Sequence, residues 1–402
     1  MLNSIASLKK ANVITKGSDD STLRIMKHIR RAGALSRVEL AQATGMAKGS
    51  ITEIVGRLVV QGLLEEHISL PSGRGRPRVS LRIIEDAAYV VGLSPAGNDT
   101  LSADIIDLNG NRLFSSQYGI GGLDVATFAD HAVAAIESAI VQSGIERERI
   151  RHAGIILPGQ VDRNAGVILW LPHSGWHPPA AVGPHIGQAI GIPVTIDNRA
   201  TVVARAEHWF GLGDWLDDFT CIALLERGMG GARYRNGHLQ TGVNGSNSEI
   251  AHVKVAFEQG RPCFCGASGC LGAYASVGGI IRQWLRGGGE AEAPIGSRDF
   301  SALVDLARSG DGVALALFRS AGRALGTAIA SHINEADPGH VLIVAAEPEL
   351  EAMIAPAFHE AVGEHMLTTL VDKTHIEFRT IAEGDFWKGA ASLALEQLYR
   401  QL

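Results

Sequence analysis

The chain has 402 residues, enough for two or three domains, and its 46% hydrophobic content with 48 glycines suits an α/β protein with many tight turns. No apolar run reaches the roughly 18 residues that a membrane span needs, so no membrane partner is expected. The net charge of −6 is unevenly divided: residues 21–83 hold eleven Lys/Arg against four Asp/Glu, a net +7, residues 1–20 are +1, and the remainder carries −14. A basic head on an acidic body points to a polyanion partner for the head alone.

Residues 1–16 are polar and lack the apolar core of a signal peptide, which predicts a cytoplasmic protein. In the basic head, Leu23, Met26 and Ile29 recur every third residue beside Ile25, with Lys27, Arg30 and Arg31 on the polar face, and Gly33 ends this first helix. Ser36-Arg37-Val38-Glu39 has the capping-box form S-x-x-E and starts a short second helix with Val38, Leu40 and Ala41 as its apolar face. Thr44-Gly45-Met46 is a tight turn, and a third helix follows over 48–58. Helix, short glycine turn, helix is the helix-turn-helix pattern; the alternative is a helical packing or interaction module. The third helix opens with small polar and basic residues, as a major-groove reader requires, so Lys48, Ser50 and Thr52 are candidate contacts to groove or phosphate.

Gly62-Leu63-Leu64 leads into a strand, and a loop over 70–78 precedes a second strand at Val79-Ser80-Leu81-Arg82, which together read as a wing. The Arg74-Gly75-Arg76-Pro77 core sets arginines on a slim backbone, suited to a narrow A·T-rich minor groove; alone it would read as a flexible linker. Charge, motif and wing agree on double-stranded DNA as the partner.

From Ala87 the pattern alternates. Strands are predicted over 89–93, 102–108, 150–157, 194–196, 221–225 and 341–345, a hairpin-type turn at Asn109-Gly110, and helices over 124–143 and 200–210. This alternation implies an α/β architecture. Gly287-Gly288-Gly289 and its acidic sequel read as a surface loop, and Cys221 as a small core hydrophobe.

One segment carries a denser signal. His252, Cys263, Cys265 and Cys270 follow the spacing H-x10-C-x-C-x4-C, with glycines between them. A Cys3His set is a standard tetrahedral shell for structural zinc, and four ligands from one short segment leave little room for an open catalytic position. The thiols could instead be buried, or two could pair, but a C-x-C disulfide is strained and a cytosolic protein keeps thiols reduced. Zn2+ as a structural ion is the expectation.

With the basic head, the Pro158-Gly159-Gln160-Val161-Asp162 segment and the cysteine loop in view, the chain resembles the ROK family of transcriptional repressors, sugar kinases and uncharacterised proteins, over about residues 20–395. The resemblance implies an N-terminal winged helix-turn-helix followed by a two-lobed, ribonuclease-H-like body of the actin and hexokinase type, with a sugar site between the lobes. The expected division is an N-terminal extension over 1–20, the winged domain over 21–83, a first lobe over 84–200 joined by a C-terminal helix over 386–402, and a second lobe over 201–385 with the zinc loop.

The family's kinase elements depart from their pattern here. Where family kinases have D-x-G-G-T, this chain has Ser94-Pro95-Ala96-Gly97-Asn98, which loses the acid and an amide donor. The catalytic N-D pair is matched by Asn198-Arg199, and a guanidinium cannot take a proton from a sugar hydroxyl. The adenine-side Gly-Gly is matched by Ala345-Ala346, and the second phosphate loop, Arg227-Gly228-Met229-Gly230-Gly231-Ala232, is only partly kept. The resemblance therefore implies a regulator and no enzyme. The alternative is an ATP-dependent sugar kinase with a DNA-binding head, for which Asp197 is the one rescue candidate.

The resemblance also implies an effector pocket. Glu249-Ile250-Ala251-His252 matches E-x-G-H with Ala251 in place of glycine, Asn198 matches the sugar-contacting Asn, and Gly159 the sugar-contacting glycine. His252 has two ring nitrogens, one for zinc and one for the sugar. The family's Glu in G-C-L-E is Gly272 here. Losing that acceptor and gaining Arg199 points to an effector with an anionic or otherwise unusual group, unless Arg199 pairs with an acid such as Asp197 or Glu249. Trp170, His173 and Trp176 could wall the pocket, or serve as core or interface residues. The expected protein is a cytoplasmic repressor, a homodimer or homotetramer, that binds a pseudo-palindromic operator and responds to a sugar or sugar derivative at Gly159, Asn198, Arg199, Glu249 and His252.

Overall fold

The structure is a computed structural model and describes residues 19–69, 78–97, 99–122, 125–170, 179–214, 216–226, 228–243, 248–287 and 297–402. The head consists of α1 (Asp19–Ala32), α2 (Arg37–Thr44), α3 (Lys48–Val60) and the strands β1 (Leu64–Ser69) and β2 (Arg78–Ile83). The periodic residues of the sequence do face inward: Ile25, Met26, Ile29, Leu40, Ile51, Val55 and Leu58 are all fully buried. The capping box at Ser36 forms in both directions, with the Glu39 carboxylate accepting from the Ser36 amide at 2.8 Å. Gly45 ends α2 at φ 67°, a conformation that favours glycine and turns the chain toward α3. β1 and β2 pair antiparallel from Leu64↔Ile83, and Leu35 bridges to Leu81. The expected wing loop, with Arg74 and Arg76, lies outside the described residues, as do residues 1–18, His173, Trp176 and residues 288–296 of the expected glycine-rich surface loop.

The body holds two five-stranded sheets. The first uses β3 (Tyr89–Pro95), β4 (Thr100–Asp107), β5 (Arg112–Gly119), then, after α4 (Val125–Ser143), β6 (Ile150–Leu157). A small hairpin, β7 (Gln160–Asp162) with β8 (Val167–Trp170), and α5 (Val182–Ile190) lead to its last strand, β9 (Val194–Asn198). Helix α6 (Arg199–Phe210) follows directly. The second sheet uses β10 (Phe219–Leu224), β11 (Met229–Arg235) and β12 (His238–Leu239). After the cysteine loop come α7 (Gly272–Ala275), α8 (Val277–Arg286), α9 (Ser297–Arg308) and α10 (Gly312–Ala336), then β13 (His340–Ala345), α11 (Leu350–His365), β14 (His375–Thr380) and α12 (Gly384–Gln401).

The sheet orders are β5-β4-β3-β6-β9 and β12-β11-β10-β13-β14. Counted within each sheet, both read 3-2-1-4-5, with an antiparallel meander followed by two parallel strands. The body is thus one topology used twice. The predicted strands all form, most of them extending a residue or two further. The Asn109-Gly110 turn is a four-residue loop rather than a two-residue hairpin: Asp107 Oδ1 accepts from the amides of Asn109 and Asn111 at 2.8 and 2.9 Å.

Helix α12 packs across β3, β6 and β9 and against α6 and α1. It approaches closely because a side chain is missing beneath it: a Cβ on Gly154 would lie 2.3 Å from the carbonyl oxygen of Ala390. The head shares a core with this helix. Ile25, Leu40 and Leu58 belong to the same buried cluster as Trp209, Ala391, Leu395 and Tyr399. Helix α10 is long and apolar enough, by length and composition, to cross a membrane, but 61% of its apolar window is buried inside the protein, as a core helix is.

Candidate functional site

The cysteine loop is folded by two backbone bridges, Lys254 with Cys270 and Pro262 with Ser268. These turns bring one ligand atom each from His252, Cys263, Cys265 and Cys270 within 4.8 Å of one another. The Cys263 sulfur lies 3.7 Å from His252 Nδ1, and the Cys265 and Cys270 sulfurs are 3.8 Å apart. A tetrahedron built on zinc bond lengths separates two sulfurs by about 3.8 Å and a sulfur from a nitrogen by about 3.5 Å. The donor set and its spacing fit such an ion. Burial pushes the Cys263 thiol up to about 12. A divalent cation supplies the charge that lets such a sulfur lose its proton. Lys254 Nζ, 3.2 Å from the Cys270 sulfur, adds a second cation. Cys221 stands apart, fully buried in β10, its thiol pushed up by burial.

The elements that carry the effector candidates adjoin one another. Gly159 sits at φ 86° in the turn between β6 and β7. Its neighbour Gln160 pairs with Trp170. The Trp170 ring stacks on Phe264 of the cysteine loop, with centroids 5.4 Å apart and planes at 11°. His252 meets both rings edge-on, at 6.3 and 5.4 Å. The β7–β8 hairpin, which lies between β6 and β9 of the first sheet in the chain, therefore touches the loop inserted after β12 of the second.

Asn198 ends β9 and caps α6: its side-chain oxygen accepts from the Thr201 amide at 2.8 Å. That leaves its amide group as the donor. Arg199 follows as the first helical residue, its guanidinium 4.5 Å from the Phe386 ring centroid. The first turn of α6 presses on β11, where a Cβ on Gly230 would lie 2.7 Å from the Ala200 methyl. β11 in turn supports the short turn Ile250–His252, with Glu249 just before it. Burial raises the Glu249 carboxyl above its ordinary range, although the side chain keeps solvent access. Burial, with Lys254 adding to it, lowers His252. Ala251 and Gly272, both departures from the ROK pattern, face each other: a Cβ on Gly272 would lie 3.2 Å from the Ala251 carbonyl oxygen. A groove of about 660 Å3 opens elsewhere, between the loop and α10, lined by Val255, Tyr274, Leu315 and Arg319, and includes none of the five effector candidates.

Asp197 is fully buried, with Arg205 Nε at 3.0 Å and Arg163 at 4.0 Å. Burial pushes its carboxyl up, and the nearby Glu396 charge adds to this. Arg205 also donates to Glu396 of α12 at 2.5 Å. Burial opposes ionisation of Glu396, but Arg205, Arg400 and Lys27 together hold its carboxyl down at about 2. The network reaches the head, since Arg400 pairs with Asp20 of α1 at 3.5 Å. Sequence reasoning missed Arg205, Glu396, Arg163 and Phe264. The first two are 191 residues apart, and a chain position alone carries no sign of that pairing.

In the head, Lys48, Ser50 and Thr52 are exposed near the start of α3, while Ile51 and Val55 are buried. The Thr52 hydroxyl donates to the Lys48 carbonyl at 2.9 Å. This surface is a candidate DNA interface.

Residues 93–397 match the ROK family, and residues 18–65 match the winged helix-turn-helix DNA-binding family. The chain is 25% identical over 349 residues to the N-acetylglucosamine repressor of Escherichia coli O6:H1, covering 85% of this chain and 84% of the repressor. It is 29% identical over 262 residues to the glucokinase of Thermotoga maritima, covering 62% of this chain and 81% of the kinase. Its fold superposes on the crystal structure of a ROK family transcriptional regulator, a homolog of the E. coli MLC protein, with a TM-score of 0.77, 25% identity, and coverage of 95% of this chain and 96% of that one.

Proposed function

The chain belongs to the ROK family, and from that premise we propose that it is a DNA-binding transcriptional regulator, a repressor whose operator affinity is set by a sugar or sugar derivative, without phosphoryl transfer. One observation carries this reading: a winged head is joined to a kinase-like body in which Arg199 stands at the position of the catalytic base. The adjacent carboxylate, Asp197, is buried against Arg205 and cannot approach a hydroxyl of a bound sugar. The similarity to a glucokinase favours the second reading, an ATP-dependent sugar kinase. An assay of ADP release over a panel of sugars separates the two. Turnover with any sugar overturns the regulator-only reading.

The effector reading uses the three adjoining pieces of chain. Asn198 donates, Glu249 accepts, and the His252 nitrogen opposite the cysteines meets the sugar, with Gly159 leaving room for close approach. Arg199 favours an effector with an anionic group. Calorimetry with neutral sugars, sugar phosphates and sugar acids tests this, and tight binding of unmodified glucose contradicts it. His252, Cys263, Cys265 and Cys270 would hold Zn2+, which when bound fixes the loop as a rigid wall. Trp170 and Phe264 then couple that wall to the first lobe.

Helix α6 offers the route to the head. It begins at Asn198 and ends at His208, Trp209 and Phe210, where Lys27 and Arg30 of α1 lie over the aromatic rings. An effector that shifts the start of α6 moves the floor on which the head rests. This regulates only if the two positions of α6 bind the effector unequally. Lys48, Ser50 and Thr52, with Arg74 and Arg76 of the wing, contact DNA. Two or four copies in the cytoplasm would present paired heads to a pseudo-palindromic, A·T-rich operator. The units are the head over 21–83, a first lobe over 84–200 with the C-terminal helix, and a second lobe over 201–385.

A further inference from the structure

A second cluster of ligand-type side chains lies at the far edge of the second sheet. The parallel register of β13 and β14 sets His340 opposite His375 and Leu342 opposite Glu377. Because side chains alternate along a strand, His375 and Glu377 share one face, and His340 joins them there. Their ligand atoms lie within 4.8 Å of one another. His340 Nε2 is 3.2 Å from the Glu377 carboxylate, and the two imidazole rings are 4.8 Å apart at their centroids. We propose that His340, His375 and Glu377 form a second metal site, for a first-row divalent transition ion such as zinc, cobalt or nickel.

Two imidazoles and one carboxylate are the donors such ions select, whereas magnesium and calcium select oxygen ligands. The exposure is graded: His340 is buried at 5%, Glu377 is 42% exposed, and His375 is exposed. An ion can enter from solvent and meet a fixed inner ligand. Three protein ligands leave positions for water, so this site exchanges its ion more readily than the closed cysteine loop. Its place gives the ion a task. β14 is the sheet edge, and Arg379 on the same strand face binds Glu207 of α6 and Asp385 of α12. An ion bridging β13 and β14 fastens the strand that anchors both helices. None of this rests on the sugar-sensor reading.

The test is metal stoichiometry on the full chain, by equilibrium dialysis against Zn2+ and elemental analysis. The wild type is expected to hold two equivalents and the His375→Ala, Glu377→Gln double variant one. Cobalt added to zinc-loaded protein should show ligand-field bands without thiolate charge transfer, and the double variant should lose them. Both substituted side chains reach solvent, and a melting curve without metal checks that the fold is kept. A double variant that holds as much metal as the wild type, as adventitious surface binding would give, overturns the proposal.

Discussion

The ammonium of Lys27, on the first helix of the head, lies 3.2 Å from Nε2 of His208, on the last turn of α6. Burial keeps the His208 ring well below the ordinary imidazole range, so it is neutral and can accept from Lys27. The same ring stacks on Tyr234 of β11, with centroids 3.9 Å apart. One histidine thus joins the head, the helix between the lobes and the second sheet.

That contact has a pH signature. Burial lowers Lys27 to about 8, against 10.5 in an open chain. Below about pH 8 the ammonium is charged in both states, and its burial costs stability in full. Between about 8 and 10.5 the unfolded chain binds more protons, so this contribution makes stability rise with pH, by about 3 kcal/mol across the window. Urea melts of the wild type and Lys27→Met over this range should differ in slope by that amount, and parallel curves would refute the assignment.

The close seat of α12 makes Gly154 sensitive. Gly154→Ala puts a methyl 2.3 Å from the Ala390 carbonyl oxygen. The helix must move, at a cost of about 1–3 kcal/mol. Because α12 also holds α1, operator affinity should fall along with the melting temperature. An unchanged melting curve would show that the helix gives way without cost.

The cysteine loop should lose its ion when one ligand is removed. Cys265→Ser, at an exposed position, is expected to lose one equivalent of zinc. The loss lowers stability by about 3 kcal/mol or more if the ion is held at a hundredfold above its Kd. Cys263→Ser should do the same and disturb the effector response. Unchanged zinc content and melting in both variants would remove the metal from the account.

On the DNA side, Lys48→Ala should weaken duplex binding by about tenfold and reduce the salt slope by about one. Sugar affinity should be nearly unchanged, since Lys48 lies on α3 and far along the chain from Asn198 and Glu249. A gel-shift titration with wild-type affinity contradicts this placement.

Local order was legible in the sequence wherever it has a local cause. Ser36 and Glu39 are three residues apart and Gly45 answers a single φ, so the start and end of α2 could be read directly. The ligands of the cysteine loop lie within one segment, and their spacing announced a cluster. What could not be read depends on pairing between distant strands and helices. The contact of Asp197 with Arg205 at 3.0 Å and the seat of Arg199 over Phe386 both depend on how α6 and α12 are placed. Phe264, to which the ligand spacing assigns no role, is a stacking partner for Trp170. His340 and His375 meet only because β13 and β14 run parallel in one register.

The central claim is a DNA-binding head governed by a sugar in the body. The most direct measurement is fluorescence anisotropy of the full chain on a duplex selected from a random pool, with and without each member of a panel of sugars, sugar phosphates and sugar acids. The account predicts tight, salt-sensitive binding that one class of sugar changes by about tenfold or more, a coupling of roughly 1.4 kcal/mol. Duplex affinity that no member of the panel alters would contradict it.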